Sequence, residues 1–140
     1  MRIVLDTNVW LSSIFWPGEA DKVIRYVINR KIEVVVTKKI LLEIVEVLNR
    51  EAKFQRFIKN RKIAIESLIR AIISITKLVI SESKLNIIKQ HPSDNKILES
   101  AVDGKVDYLI SYDNHLLNLN EYKGIKILTP TDFLKKLNTQ

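Results

Sequence analysis

Apolar positions along the chain follow two alternating rhythms. Ile3-Val4-Leu5 is a short continuous run that stops at Asp6. Its length and β-branching predict a buried strand rather than a helix. Residues 9–15 predict a short helix or turn, broken at Pro17-Gly18. Over residues 20–29 the apolar positions Val23, Ile24, Val27 and Ile28 return at helical spacing. Residues 33–37, with Val34-Val35-Val36, predict a second buried strand. Thr37 then caps a helix to about residue 50, striped by Ile40, Leu41, Ile44, Val45 and Leu48. Two more helices are predicted, roughly 52–60 and 61–75, before a short strand at 78–80. A polar connection over 81–92, built around Leu85, Ile87 and Ile88, leads to a helix capped by Ser93 or Asp94. That helix runs to Val102 and ends at Asp103-Gly104. Strand 108–110, short helix 114–119, strand 125–128 and a C-terminal helix opened by Thr129-Pro130-Thr131 complete the pattern.

Strands that alternate with helices predict a parallel sheet covered on both faces, an α/β fold with three layers, α/β/α. The runs at 33–37 and 78–80 are continuously apolar, as strands buried on both faces are. There is no internal repeat and no linker, so residues 1–140 are expected to form a single domain.

Composition narrows this picture. Hydrophobic residues make up 46% of the chain, enough for a real core, and three Gly and three Pro without low-complexity sequence argue against disorder. Cysteine is absent, which excludes disulfides and thiolate metal ligands and suits a reducing cytoplasm. No signal-peptide pattern and no apolar run of membrane-spanning length is present, so a soluble cytoplasmic protein is expected. The net charge of +7 favours polyanionic partners. Part of the excess gathers between residues 53 and 70, where Lys53, Arg56, Lys59, Arg61, Lys62 and Arg70 face one acid, Glu66. Such a run is either a solvated helical face or a nucleic-acid contact.

Against this basic background, four acids fall where the predicted topology converges. Functional groups of a parallel sheet collect at the carboxyl ends of its strands. Asp6 follows the first strand and Asp113 the strand at 108–110. Asp94 opens a helix, and Glu43 lies about two turns into the helix after the second strand. Taken singly, Asp6 reads equally well as a helix cap. Carboxylates brought together repel and call for a cation, and an all-oxygen set suits Mg²⁺ or Mn²⁺ better than Zn²⁺.

At these residues the chain resembles a known family. Asp6-Thr7-Asn8 after the first strand, Glu43 within Leu41-Leu42-Glu43-Ile44-Val45-Glu46, Asp94-Asn95-Lys96-Ile97-Leu98-Glu99, and Asp107-Tyr108-Leu109-Ile110-Ser111-Tyr112-Asp113 are similar, in order and spacing, to the successive motifs of PIN domains. The resemblance spans residues 2–133. It implies a PIN-like sandwich and a metal-dependent ribonuclease, of the kind found as toxins in VapBC-type toxin–antitoxin pairs. It maps the family's catalytic, metal-holding quartet onto Asp6, Glu43, Asp94 and Asp113. It also places Asn8 and Ser111 behind the acids, orienting them or ordered waters, while Asn95 either assists Asp94 or simply follows the cap. One departure stands out: many members carry a further Asp two residues beyond the fourth acid, and here that position is His115.

The expected activity is therefore Mg²⁺- or Mn²⁺-dependent hydrolysis of RNA phosphodiesters. Lys53, Arg56, Lys59, Arg61 and Lys62 are the candidate RNA contacts. A small antitoxin is the expected protein partner, a homodimer is compatible, and no membrane is involved. Glu46 is the alternative to Glu43, and Asn95 to Asp94. His91 and His115 flank the acidic elements and read as surface residues. Trp10 and Trp16 read as core or interface groups. A haloacid-dehalogenase-like phosphatase would need Asp where Asn8 stands, and a response-regulator receiver would need an acid after a middle strand, where Thr37 and Ser81 stand. The competing class is a non-catalytic RNA- or protein-binding domain of the same fold.

Overall fold

A computed structural model describes residues 1–139. In chain order the elements are β1 (Arg2–Leu5), α1 (Thr7–Phe15), α2 (Glu19–Ile28), β2 (Glu33–Thr37), α3 (Lys38–Arg50), α4 (Ala52–Arg61), α5 (Ile65–Ile75) and β3 (Lys77–Val79). A 3-10 turn (Pro92–Asp94) then precedes α6 (Asn95–Asp103), β4 (Tyr108–Ile110), α7 (Asn114–Leu117), β5 (Glu121–Tyr122), β6 (Ile125–Leu128) and α8 (Pro130–Asn138).

The sheet order is β3-β2-β1-β4-β6-β5, parallel throughout except for β5. Ile3, Val4 and Leu5, and likewise Val34, Val35 and Val36, are fully buried at successive positions. Successive strand residues point to opposite faces, so layers cover both sides of β1 and β2, as their continuous apolar runs require. The chain leaves β1 toward β2 on one side and later returns to place β4 on the other. The order therefore reverses between β1 and β4, which opens a crevice at their carboxyl ends. The amide of Asp6 still donates to the Ile110 carbonyl at 2.9 Å, so the two strands stay paired up to the rim of that crevice.

Three details depart from the pattern read in the sequence. The strand expected at 78–80 is β3, and it is an edge: Leu78 is 59% and Ile80 81% exposed, so apolar composition there does not signal burial on both faces. The helix expected from 61 begins at Ile65, because Lys62 turns left-handed (φ 53°) and stops α4. Finally, β5 pairs antiparallel with β6 through a two-residue turn, Lys123-Gly124, both at positive φ.

The connection over residues 81–91 is held along one face of α6. Asn95, Glu99 and Asp103 are spaced by four, so they share that face. Asp103 accepts from the Ser81 hydroxyl and from the Ser83 amide and hydroxyl. Glu99, itself paired with Lys39 at 2.8 Å, accepts from the Leu85 amide at 2.8 Å. Asn95 accepts from the amides of Ile87 and Ile88 and donates to the carbonyls of Ile88 and Pro92, each at 3.0 Å. One helix face thus aligns an extended strap running antiparallel to it and delivers His91 and Asp94 to the crevice. Thr37 and Ser100, both buried, bond at 2.8 Å and tie α6 to the end of β2. Behind them Gly104 is required by closeness: a Cβ there would lie 2.8 Å from Val35 Cγ2 and 2.9 Å from the Ser100 carbonyl.

Candidate metal centre

Asp6 ends β1 and caps α1, its Oδ1 accepting from the Thr7 amide at 2.8 Å. Its other oxygen accepts from the Ser111 hydroxyl at 2.8 Å. Ser111 is fully buried, and its Oγ also accepts from the Asp113 amide at 3.0 Å. This one hydroxyl therefore couples the acid after β1 to the acid after β4. Asp113 caps α7 in turn, accepting from the His115 amide at 2.8 Å. The cap reading and the site reading are both satisfied at Asp6 and Asp113, because each carboxylate has oxygen lone pairs beyond those its cap consumes.

Burial pushes the Asp6 carboxyl up to about 6, against the hydrogen bonds from Ser111 and Thr7, while the nearby charges of Glu43 and Asp94 push the same way as burial. Burial raises Glu43 as well, with the Thr7 hydroxyl and the Lys96 ammonium acting in opposition and Asp94 and Glu46 adding to the rise. Asp94 is raised by burial and by Asp113, with His91 lowering it. The charges of Glu43 and Asp94 act on Asp6, that of Asp94 on Glu43 and that of Asp113 on Asp94, so acids from four elements are electrostatic neighbours. Glu46 is exposed and pairs with Arg50 at 3.0 Å, which leaves Glu43 as the α3 acid on the crevice side.

The geometry sorts the remaining candidates. Asn8 is exposed on α1, and Asn95 is committed to the strap rather than to the acids. Thr7 and Lys96, next to Glu43, went unmarked in the sequence. The histidines are exposed, as read, yet both lie against the acids. His91 Nδ1 lies 2.9 Å and His115 Nδ1 3.7 Å from Asp94 Oδ2, and His115 Nδ1 lies 3.3 Å from Asp113 Oδ1. The two rings stack with centroids 5.4 Å apart. Ligand atoms of His91, Asp94, Asp113 and His115 all lie within 4.8 Å of one another. Asp94 Oδ2 is buried, with His91 Nδ1 2.9 Å away. A buried carboxylate oxygen is costly unless donors or a cation meet it. The donor set therefore fits a divalent ion.

At the C-terminal end of α1 lies an aromatic cluster. Phe15 and Trp16 meet Phe54 and Phe57 of α4 at centroid distances of 5.1–5.9 Å. Lys53 lies over the Trp16 and Phe54 rings, and Arg61 over Phe57. Lys53, Arg56, Lys59, Arg61 and Lys62 are all exposed. Trp10 is core, with its indole N–H unpaired among the described residues. No helix is long and apolar enough to cross a membrane, among the described residues.

A chain of the VapBC2 complex from Rickettsia felis, solved bound to a DNA fragment from their promoter, superposes with a TM-score of 0.60 at 13% identity, over 91% of this chain and 97% of that one. No curated protein matches the sequence. The PIN domain profile matches residues 2–115, which takes in all four acids, the strap and both histidines, and on that match the chain belongs to the PIN domain family.

Proposed function

We propose that the protein is a divalent-metal-dependent endoribonuclease that hydrolyses RNA phosphodiester bonds, and that it acts as the toxin of a toxin–antitoxin pair. The observation that carries the catalytic reading is the convergence of Asp6, Glu43, Asp94 and Asp113 from four elements on the β1/β4 crevice, in a chain that is otherwise net basic. Family membership supports it. The toxin reading takes its support from the structural likeness to the VapBC2 complex.

Asp6, Asp94 and Asp113, with Glu43, would hold Mg²⁺ or Mn²⁺. When bound, such an ion supplies Lewis-acid charge at the scissile phosphate and lowers the pKa of water. Ser111 fixes the relative positions of Asp6 and Asp113 by bonding one side chain and the other's amide. Thr7 and Lys96 steady Glu43 beside them. The exposed cations of α4 would hold the RNA backbone.

The test is cleavage of unstructured RNA with Mg²⁺ or Mn²⁺, beside Asp6→Asn and Asp113→Asn. We expect cleavage to fall by at least about a hundredfold in either variant while RNA binding persists. Cleavage that survives EDTA, or that either variant retains, would falsify the assignment. A protein that binds RNA and never cleaves it would instead be a non-catalytic domain of this fold. Growth arrest on expression, relieved by a small protein from the adjacent reading frame, tests the toxin role.

A further inference from the structure

We propose that His91 and His115 enter the centre as nitrogen ligands beside Asp94 and Asp113, making it a mixed imidazole–carboxylate site that selects a first-row transition-metal ion over Mg²⁺. The inference rests on the reading of the acids as a metal site and goes beyond it in the ligand set and in the ion.

The placement is specific. His91 arrives at the end of the strap and His115 on α7, 24 residues apart in sequence, yet both present Nδ1 toward the same oxygen, Asp94 Oδ2, at 2.9 and 3.7 Å. That oxygen is buried, and the Asp94 side chain is only 10% exposed. Four ligand atoms lie within 4.8 Å of one another. An ion with bonds of about 2.1 Å spans at most roughly 4.2 Å between opposite ligands, so closure asks for side-chain movements of under about 1 Å. The stacked rings have side chains 51% and 46% exposed, so an ion can reach them from solvent.

Ligand chemistry then sets the ion. Mg²⁺ takes oxygen ligands and gives up its waters reluctantly. Imidazole suits the later first-row divalent ions, with affinity rising from Mn²⁺ through Co²⁺ toward Zn²⁺. In the competing account the imidazoles only balance the charge of Asp94 and Asp113. They would then compete with a cation for those carboxylates, and removing them would strengthen metal binding. The two accounts predict opposite signs.

The full chain is titrated with Co²⁺, followed by visible absorption, and with Mg²⁺ and Mn²⁺ by calorimetry, in the wild type and in His91→Gln/His115→Gln. Because both side chains are about half exposed, the double variant is expected to fold, and circular dichroism checks this. We expect Co²⁺ affinity to fall by about tenfold or more in the double variant while Mg²⁺ affinity changes far less. In pulsed EPR of the Mn²⁺-loaded wild type we expect imidazole nitrogen couplings that the variant loses. Mn²⁺ bound without nitrogen coupling, or Co²⁺ bound as tightly or more tightly by the variant, overturns the inference and leaves the acid site standing. A wild type that binds none of the three ions overturns both. Asp94→Asn, which should lose Mn²⁺ altogether, confirms that the signal comes from this crevice.

Discussion

Asp6 is held by two donors that favour its ionised form, the Ser111 hydroxyl and the Thr7 amide, yet burial outweighs them and lifts its pKa to about 6. A carboxyl whose folded pKa exceeds its unfolded value binds more protons when folded. Its stabilising contribution is complete below the unfolded pKa of 3.8 and is lost as pH rises through about 6. The loss is of order 3 kcal/mol, about two units at 1.36 kcal/mol each. Asp6→Asn removes that loss but weakens one hydrogen bond, at about 1 kcal/mol. In EDTA the variant should therefore be less stable than the wild type by about 1 kcal/mol at pH 4 and more stable by about 1–2 kcal/mol at pH 8. Urea melts at the two pH values check this. A difference that does not change with pH would show that Asp6 serves only as a cap. The placement of Asp6 and Asp113 at strand ends was readable in the sequence, because an acid after an apolar β-branched run has few other places to go. The histidines were not. Nothing in His91-Pro92 or Asn114-His115 shows that a strap and a one-turn helix bring the two rings together.

At the scale of elements, the face of α6 formed by Asn95, Glu99 and Asp103 governs how the crevice is built, since it sets the path of the strap that carries His91 and Asp94. Asn95→Ala would leave the amides of Ile87 and Ile88 and the carbonyls of Ile88 and Pro92 without partners, and we expect a loss of about 2–4 kcal/mol, since each buried group left unsatisfied costs about 1–3 kcal/mol and the partly exposed ones regain water. Hydrogen exchange at Ile87 and Ile88 should accelerate more than exchange in β1. Unchanged protection there would mean that the strap is held by apolar packing of Leu85 and Ile88 instead. The periodicity of 33–50 gave β2 and α3 to the residue, because a buried strand followed by a Thr cap leaves little freedom. The misread elements have one physical cause in common: local sequence does not report neighbours. Leu78 and Ile80 resemble core until the sheet ends at β3. The Lys123-Gly124 turn makes β5 only because β6 lies within reach, and Lys62 adopts a conformation that its side chain does not advertise. The same blindness hid the spacing of 95, 99 and 103, a pattern that has meaning only once an extended segment runs beside it.

At the scale of the whole molecule the charges are segregated: a chain of net charge +7 gathers carboxylates at the β1/β4 crevice and leaves the cations of α4 in solvent. If those cations hold an RNA backbone, binding must weaken with salt. Each phosphate neutralised on a single strand contributes about −0.7 to the log–log slope. Arg56→Ala/Lys59→Ala/Lys62→Ala should therefore flatten the slope by up to about 2 while leaving the crevice, and with it the metal affinity, unchanged. A triple variant with the wild-type slope would move the RNA path off α4. The central claim is that the crevice where the strand order reverses is built to hold a divalent ion, and crystals soaked in Mn²⁺ test it most directly. The anomalous difference map should show one or two peaks within about 2.0–2.6 Å of carboxylate oxygens of Asp94 and Asp113, with Asp6 and Glu43 bordering the same ions. Peaks confined to other acids, or none at a Mn²⁺ concentration that supports cleavage, would contradict it.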